Sequence, residues 1–295
     1  MDGFLVINKS PNMTSYDVIR KIKKLLPPKT KIGHLGTLDP MTTGVLPIAI
    51  GQATKIIPYI EDETKEYIAT LTLGGVSDTE DAWGNITLTH KTDVKEAQIK
   101  EVFKQMLGEI EQIPPMYSAV HHKGQKLYEL ARQGITVERK PRKIQIYELE
   151  ILDIDIKKTL PTVKFRVLCS KGTYVRTLCK DIGEKLNVGG YLSSLERTKS
   201  GIFNLYDSYQ LDEVIDKPDF LNKVLLPLDF PLQNWPIYKI NDDQDYYSII
   251  NGNAIQVDLN LPVGNIRIYD QGESLLAIAQ FNGNILKPIR VFKTV

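Results

Sequence analysis

An aspartate in a loop rich in glycine and threonine is the residue of this 295-residue chain that is best placed to do chemistry. The loop reads Gly-His-Leu-Gly-Thr-Leu-Asp-Pro over residues 33–40 and continues to Gly44 and Pro47. The proline that follows Asp39 pushes it toward an extended backbone, and a carboxylate fixed in this way can act as a nucleophile or a base. Because Asp-Pro also commonly starts a turn, the residues alone leave a structural role open.

Several other site types are excluded by spacing. No Gly-Lys-Ser/Thr follows the loop, so it is not a P-loop, and its glycine spacing does not fit a dinucleotide fingerprint. The acidic run at residues 78–81 lacks the glycine and glutamate of a calcium loop, so we interpret it as structural or peripheral. Cys169 and Cys179 lack zinc spacing and are predicted to be reduced thiols. The sequence therefore predicts no metal site.

Two further segments could supply partners for Asp39. Residues 171–176, Lys-Gly-Thr-Tyr-Val-Arg, lie between a predicted strand and a predicted helix, so Arg176 falls near a helix N-terminus. A cation there opposes the helix dipole, and pairing with the Asp39 carboxylate would explain its position. Residues 65–69, Lys-Glu-Tyr-Ile-Ala, place Tyr67 at the start of a strand, where a tyrosine usually serves packing.

The elements that position these residues follow from the apolar pattern. Strict alternation predicts a strand over residues 67–73, with Tyr67 on the buried face. A capping box formed by Asp93 and Glu96 predicts a helix that ends at Gly108. The other predicted strands cover residues 4–8, 45–50, 143–156, 162–170, 265–270, 275–281 and 289–292. The other predicted helices cover 15–26, 52–59, 126–133 and 174–186, and Thr14 or Ser15 is the expected cap of the first.

The charge is distributed unevenly, although the chain carries a net charge of only +1. The net charge is +5 over residues 1–59, +5 over 115–145 and +3 over 146–200, against −7 over 60–114 and −5 over 201–295. The three basic stretches could fold into one face, which permits an RNA partner without requiring one. No 18-residue apolar run and no secretory signal occur, so we expect a cytoplasmic protein without a membrane span.

In four separated motifs the chain resembles the bacterial tRNA pseudouridine synthase B family, the tRNA pseudouridine-55 synthases, over roughly residues 3–205. The Asp39 loop is similar to the family's catalytic loop, residues 65–69 to its second motif, and residues 172–176 with Leu195 to its third. Residues 115–119 and 124–134 resemble the insertion that grips the T-loop of tRNA. Four motifs in the family's order are far more specific than one.

The resemblance implies an α+β fold, with a mixed, largely antiparallel sheet flanked by helices and a small C-terminal β-barrel domain of PUA-like type. It implies a catalytic domain at residues 1–232, which carries an RNA-gripping insertion at about 112–143, and the small domain at 233–295. The acidic balance of the last segment makes a tight grip on RNA there less expected.

The activity implied by the resemblance is isomerisation of one uridine in the T-loop of tRNA, position 55, to pseudouridine, without cofactor or metal. The partner would be the T-arm of tRNA, and the protein would act as a monomer without an obligate protein partner. The residues implied to be catalytic are Asp39, Tyr67 and Arg176. Those implied to bind substrate are His34, Lys65, Tyr174 and Leu195.

The chain departs from the family pattern at two places. Residues 9–12 read Lys-Ser-Pro-Asn where the family usually ends in glycine; asparagine tolerates the positive φ of glycine, so we expect the turn to survive with little bearing on the catalytic site. After Leu195, Glu196 stands where a basic residue is expected, although Arg197 follows.

Three alternative functions remain open. A guide-RNA-dependent pseudouridine synthase would use the same aspartate, but that class lacks the insertion at 112–143. A non-catalytic tRNA-binding or folding factor would make Asp39 purely structural. A glycoside hydrolase would need a second acidic residue near Asp39, and the matched motifs offer none.

Overall fold

The computed structural model describes residues 1–258 and 261–292. The strands are β1 (Gly3–Lys9), β2 (Ile32–His34), β3 (Thr43–Ile50), β4 (Lys65–Leu73), β5 (Gly75–Ser77), β6 (Ile86–Leu88), β7 (Gly108–Gln112), β8 (His121–His122), β9 (Gln125–Lys126), β10 (Arg142–Asp155), β11 (Thr162–Cys169), β12 (Gly190–Ser200), β13 (Phe203–Asn204), β14 (Tyr209–Gln210), β15 (Ile237–Lys239), β16 (Ile255–Gln256), β17 (Gly264–Tyr269), β18 (Leu275–Phe281) and β19 (Ile285–Val291). The helices are α1 (Ser15–Lys23), α2 (Glu96–Gln105), α3 (Leu127–Arg132), α4 (Val175–Lys185), α5 (Leu211–Asp216), α6 (Pro218–Val224) and α7 (Asp243–Ile250).

The larger sheet carries the residues singled out above. Within the described residues it has ten strands, in the order β14-β1-β3-β12-β4-β11-β10-β7, with β2 paired to β3 and β13 to β12. The β1–β14 and β3–β12 pairs are parallel and the other neighbours are antiparallel. The predicted mixed, largely antiparallel sheet of an α+β protein is therefore confirmed.

The predicted alternation of β4 is also confirmed. Tyr67, Ala69, Leu71 and Leu73 are buried and belong to one apolar cluster with residues of α2, α4, β11 and β12. The strand pairs with β11 on one side and β12 on the other, so it lies in the interior of the sheet and the cluster covers its buried face.

The predicted starts of α1 and α2 had different outcomes. At α1 the Thr14 hydroxyl accepts a hydrogen bond from the Asp17 amide and the Asp17 carboxylate accepts one from the Thr14 amide, each at 3.0 Å, as the cap position predicted. The capping box of Asp93 and Glu96 is wrong, because α2 begins at Glu96 and the Lys95 amide donates to Gln98 Oε1 at 2.9 Å.

The start of α2 is fixed by apolar contacts instead. Val94 and Ile99 flank the first turn of the helix and lie in the same buried cluster, in the positions of a hydrophobic staple. Burial of Val94 sets where the chain enters the helix, so a pattern of polar residues alone places the start too early.

A smaller sheet occupies the C-terminal part of the chain. Its strand order within the described residues is β15-β17-β18-β19-β16. Ile278 and Phe292 from this region pack with Phe4 and Val6 of β1 in one buried cluster, and Arg267 forms an ion pair with Asp229. The small sheet therefore packs directly against β1 of the larger sheet.

The basic excursion predicted at about 112–143 corresponds to the connection between two paired strands. Gln112 ends β7 and pairs with Arg142 at the start of β10, so residues 113–141 leave the large sheet and return to it. The β8–β9 hairpin and α3 lie in this connection. Across the described ranges, no helix is long and apolar enough to cross a membrane.

A close backbone approach joins the Asp39 loop to β12. Gly44 pairs with Arg197 across the parallel β3–β12 contact, has φ of +99°, and leaves no room for a Cβ beside the Arg197 backbone. Only glycine satisfies both demands, so Gly44 fixes the C-terminal end of the loop against β12.

We predict that Gly44→Ala lowers the free energy of unfolding by about 2–4 kcal/mol, because it adds overlap with the β12 backbone to the strain of a left-handed residue. Gly124→Ala is the matched control: φ there is +88°, but an added Cβ meets no atom within 4 Å, so only about 1–2 kcal/mol should be lost. Urea unfolding measures both values. Equal losses would contradict the close approach.

Candidate active site

The loop that carries Asp39 is pinned on both sides of that residue. Ser15 Oγ accepts a hydrogen bond from the Leu38 amide at 2.8 Å and lies 3.1 Å from the Leu38 carbonyl oxygen. The Pro40 carbonyl accepts from the Asn12 amide at 3.0 Å. The N-terminus of α1 and the turn before it therefore fix the backbone of Asp39.

Arg176 meets Asp39 across the site. Its Nε lies 3.0 Å from Asp39 Oδ2, and only 5% of the Arg176 side chain is exposed. The other guanidinium nitrogens donate to the Thr79 carbonyl at 3.2 Å and the Tyr117 carbonyl at 2.9 Å, and Nη1 lies 3.6 Å from Asp81 Oδ2. A cation near a helix N-terminus needs an anionic partner, and for Arg176 that partner is the Asp39 carboxylate.

Burial and charge act on Asp39 in opposite directions. Protein atoms surround the carboxylate, and this desolvation raises its pKa; Arg176 lowers the pKa, Asp81 raises it and Lys9 lowers it. The side chain nevertheless remains 38% exposed, so a substrate can reach it. Asp39 is thus an accessible carboxylate whose ionised form depends on the Arg176 cation.

Tyr67 and Leu195 lie on the neighbouring strands β4 and β12. Tyr67 is opposite Arg197 and Leu195 is opposite Ala69 in the antiparallel register, and both side chains are buried in the main apolar cluster, against which Met41 of the Asp39 loop packs. Burial raises the pKa of the Tyr67 phenol, while the adjacent Arg197 lowers it. An apolar wall with one phenol therefore lies beside the loop.

Arg197 also belongs to the site, although its sequence position gave it no predicted role. It is almost completely buried, and it donates from Nε to the Val45 carbonyl at 2.8 Å and from Nη2 to the Gly36 carbonyl at 3.0 Å. Within the described residues it has no carboxylate within 4.0 Å. Its guanidinium thus joins both ends of the Asp39 loop to β12. The feature of the sequence that could have pointed to Arg197 is its position two residues after Leu195.

Lys9 and Asp81 also belong to the surroundings of Asp39. Lys9, in the segment expected to have little bearing on the site, is fully buried, donates to the Pro40 carbonyl at 3.3 Å and acts electrostatically on Asp39. Burial lowers the pKa of Lys9 to about 8. Asp81, in the run interpreted as structural or peripheral, is buried against Arg176, which agrees with a structural role. Asn12 has φ of +64°, as predicted for its turn.

His34 and Lys65 flank this arrangement. His34 ends β2, is half-buried, and its Nδ1 has no hydrogen-bond partner among the described residues; burial and then Arg197 lower its pKa. Lys65 begins β4, and burial, reinforced by Arg197, lowers its pKa to about 8. Both side chains therefore lie in the positive field of Arg197.

Tyr174 occupies the N-cap position of α4, two residues before Arg176. Its amide donates to Gln112 Oε1 at 2.8 Å and its carbonyl accepts from Gln112 Nε2 at 3.0 Å. These bonds tie the start of α4 to the end of β7 and so fix the helix that presents Arg176. Among the residues described, no cluster of three or more His, Cys, Asp or Glu side chains could hold a metal ion.

The chemistry available here is that of one carboxylate, oriented by a guanidinium and bordered by a phenol and apolar side chains. Such a carboxylate can attack an electrophilic carbon or accept a proton. The other acid that acts on Asp39 is Asp81, whose side chain is only 9% exposed and lies 3.6 Å from Arg176 Nη1. A glycosidase needs both carboxylates at the substrate, and the burial of Asp81 disfavours that chemistry here.

Comparison with known proteins identifies relatives over the whole chain. The sequence model described as TruB family pseudouridylate synthase (N terminal domain) matches residues 23–175, and the tRNA pseudouridylate synthase B C-terminal domain matches residues 176–233. A tRNA pseudouridine synthase B of Syntrophomonas wolfei is 52% identical, covering 99% of both chains, and one of Clostridium kluyveri is 43% identical, covering 99% of this chain and 100% of that protein.

Solved structures are similar as well. A Cbf5–Nop10–Gar1 complex contains a chain that matches with a TM-score of 0.71 at 27% identity, and an H/ACA RNP bound to a substrate RNA containing 2′-deoxyuridine contains one that matches with a TM-score of 0.70 at 26% identity. Each match covers 99% of this chain and 85% of the other.

The lowered pKa of Lys65 predicts its reactivity. At pH 8, about half of an amine with a pKa of about 8 is neutral, roughly two orders of magnitude more than at the reference value of 10.5. Brief acetylation at pH 8 followed by peptide mass spectrometry should label Lys65 ahead of the exposed Lys157. Lys9 is the internal control, since its full burial should protect it from the reagent. Slower labelling of Lys65 than of Lys157 would contradict a lowered pKa for Lys65.

Proposed function

Because the chain belongs to the TruB family of pseudouridylate synthases, we propose that it isomerises a uridine in the T-loop of tRNA, at position 55, to pseudouridine. The single observation that carries the proposal for the site is the 3.0 Å ion pair between Asp39 and the buried Arg176, formed by two motifs far apart in the sequence. Pseudouridylation of tRNA, an isomerase activity, agrees with the names of relatives that are 42–52% identical.

The reaction conserves every atom of the nucleotide. The N1–C1′ glycosidic bond breaks, the uracil turns, C5 bonds to C1′, the proton on C5 leaves, and N1 takes up a proton. Since there is no net oxidation, hydrolysis or phosphate transfer, one carboxylate and a site that orients the base are sufficient.

Asp39 supplies that carboxylate in our proposal, either by attacking C1′ or by assisting removal of the C2′ proton. Both routes require the ionised form, and burial opposes ionisation of Asp39 while Arg176 favours it. The bonds from Arg176 to the Thr79 and Tyr117 carbonyls hold the guanidinium in place, so the carboxylate is aimed as well as charged.

Tyr67, Tyr174 and Leu195 complete the proposed pocket for the uracil. The phenol of Tyr67 would stack on the base and take part in moving the C5 proton, while Leu195 supplies apolar surface. Exclusion of water matters here, because water would trap a ribosyl intermediate as an abasic site. The burial of Tyr67 and Leu195 in the main apolar cluster supports this assignment.

The target uridine must leave its stack to reach Asp39, at a cost of a few kcal/mol. We assign His34 to the place that the base vacates. Its lowered pKa favours the neutral imidazole, and Nδ1 is a buried nitrogen without a hydrogen-bond partner inside the described part of the protein, so a shift of the side chain on RNA binding would satisfy it. Lys65 would bind the substrate through its amine at the start of β4.

The connection between β7 and β10 is the proposed grip on the T-loop. Its base reaches the site, because the Tyr117 carbonyl accepts from Arg176. Further out, Lys126 and Arg132 lie 5.7 and 5.3 Å from the centre of the Tyr128 ring, a cluster of cations and an aromatic ring suited to RNA loops.

We extend the proposal to organisation and location. Residues 1–232 would form the catalytic domain and residues 233–295 a small PUA-like domain, a division supported by the separate sheet that begins at β15. No protein partner would be obligatory, since the connection at 113–141 already supplies a surface for tRNA. The protein would act as a monomer in the cytoplasm.

Asp39→Asn should lower the rate of pseudouridine formation by roughly a thousandfold or more, because the amide can neither attack nor accept a proton, while tRNA still binds. Release of tritium from C5-labelled uridine in an unmodified tRNA transcript measures the reaction. The matched control is Asp93→Asn, which changes an exposed carboxylate just before α2 and should retain turnover.

Normal turnover by Asp39→Asn would refute the role of that residue. Binding of tRNA without tritium release by the wild type would favour a binding or folding factor. Turnover only in the presence of a guide RNA and partner proteins would favour the guide-dependent class.

Replacing residues 120–135 by a short Gly-Ser linker should raise the Kd for tRNA by roughly tenfold or more, because the cluster around Tyr128 is lost. The fold should persist, since β7 and β10 pair with each other without it. Filter binding and thermal unfolding measure the two effects. Unchanged affinity in a folded variant would remove the connection from the proposed grip.

A further inference from the structure

A cleft lined by lysines borders β2 outside the site described above. Its lining residues are Lys23, Lys29, Thr30, Lys31, Ile32, Gly33, Thr54 and Ile57. The next residue along β2 is His34, whose pKa is lowered by burial and then by Arg197 of the site. The cleft and the candidate active site therefore share one short strand.

Three different local structures bring the lysines together. Lys23 ends α1, where a cation also stabilises the helix C-terminus. Lys29 adopts φ of +66° in a turn that is closed by a bond from the Thr30 hydroxyl to the Pro27 carbonyl at 2.7 Å. Lys31 is fixed by the Gly51 amide, which donates to its carbonyl at 2.7 Å. Stabilisation of the helix C-terminus accounts for the position of Lys23 but not for those of Lys29 and Lys31.

The positive charge of the cleft is uncompensated. Within residues 1–258 and 261–292, Lys23, Lys29 and Lys31 form no ion pair within 4.0 Å, and all three side chains are exposed. Arg20, in the same basic stretch, pairs with Asp17 at 2.8 Å, and Lys9 is buried elsewhere. Much of the surplus charge of residues 1–59 is thus presented at this cleft, where it favours an anion.

Gly33 keeps part of the cleft open. A Cβ added there would meet no atom within 4 Å, and its backbone lies outside the left-handed region, so a larger side chain would fit without strain and project into open space. Gly33 lines the cleft and His34 follows it directly in β2, so along the strand the cleft ends one residue, about 3.3 Å, from the candidate site.

We propose that this cleft binds the phosphodiester backbone of the RNA strand beside the target uridine; the proposal rests on the function proposed above. Lysine ammonium groups act as point charges that suit phosphates and do not read base sequence. The hydroxyls of Thr30 and Thr54 already donate to backbone carbonyls, so the three lysines supply the donors for the phosphates.

The test compares two triple variants in the Asp39→Asn background, so that turnover does not affect binding. Lys23→Gln, Lys29→Gln and Lys31→Gln together should weaken binding of a tRNA transcript by roughly tenfold or more at 0.1 M salt. The slope of log K against log salt should become shallower by about 2, since each lost phosphate contact contributes about 0.7–0.9. The matched control replaces Lys91, Lys95 and Lys104, which are exposed and lie in the acidic stretch 60–114.

Thermal unfolding of both triple variants checks that each remains folded. Equal affinities and equal salt slopes for the two folded triple variants would overturn the cleft proposal.

Failure of the cleft and failure of the proposed reaction give different results. Tritium release by the wild type together with identical binding by both triples would reject the cleft alone. A shallower slope only in the cleft triple, without tritium release by the wild type, would retain the cleft as an RNA site and reject the reaction.

Discussion

The ion pair between Asp39 and Arg176 is the interaction on which the arrangement of the site depends. Arg176 is buried at the start of α4, and removing a guanidinium from water is costly unless its donors are satisfied. Asp39, Asp81 and the Thr79 and Tyr117 carbonyls satisfy them. One cation therefore ties together the Asp39 loop, the 78–81 turn and the base of the β7–β10 connection.

The charges around this pair are not balanced, and the excess is positive. Lys9, Lys65 and Arg197 are all partly or wholly buried near the site, and Arg197 has no carboxylate partner in the portion of the chain that is described. Its charge lowers the pKa of Lys9, Lys65 and His34, after the larger effect of burial. A site of this kind favours an anionic polymer as its substrate, which agrees with the three basic stretches of the sequence.

Local patterns in the sequence predicted the elements whose positions depend on neighbours along the chain. The alternation of β4, the cap of α1 at Thr14 and the positive φ of Asn12 follow from short-range physics. The start of α2 was misplaced, because burial of Val94 decides it. At that position, tertiary packing and not the polar capping residues sets the helix start.

The site divides in the same way. The pairing of Arg176 with Asp39 could be inferred because a cation at a helix N-terminus is unfavourable without a partner. The positions of Arg197, Lys9 and Asp81 could not, since their partners come from distant segments: Arg197 bonds to Gly36 and Val45 only because β12 lies beside β3.

The most direct test is the pKa of Asp39, measured by carbon-13 NMR of carboxyl-labelled protein, with the Asp39 signal identified by its loss in Asp39→Asn. If Arg176 keeps this carboxylate ionised against burial, Arg176→Gln must raise the pKa of Asp39 above the wild-type value; an unchanged pKa would contradict the account.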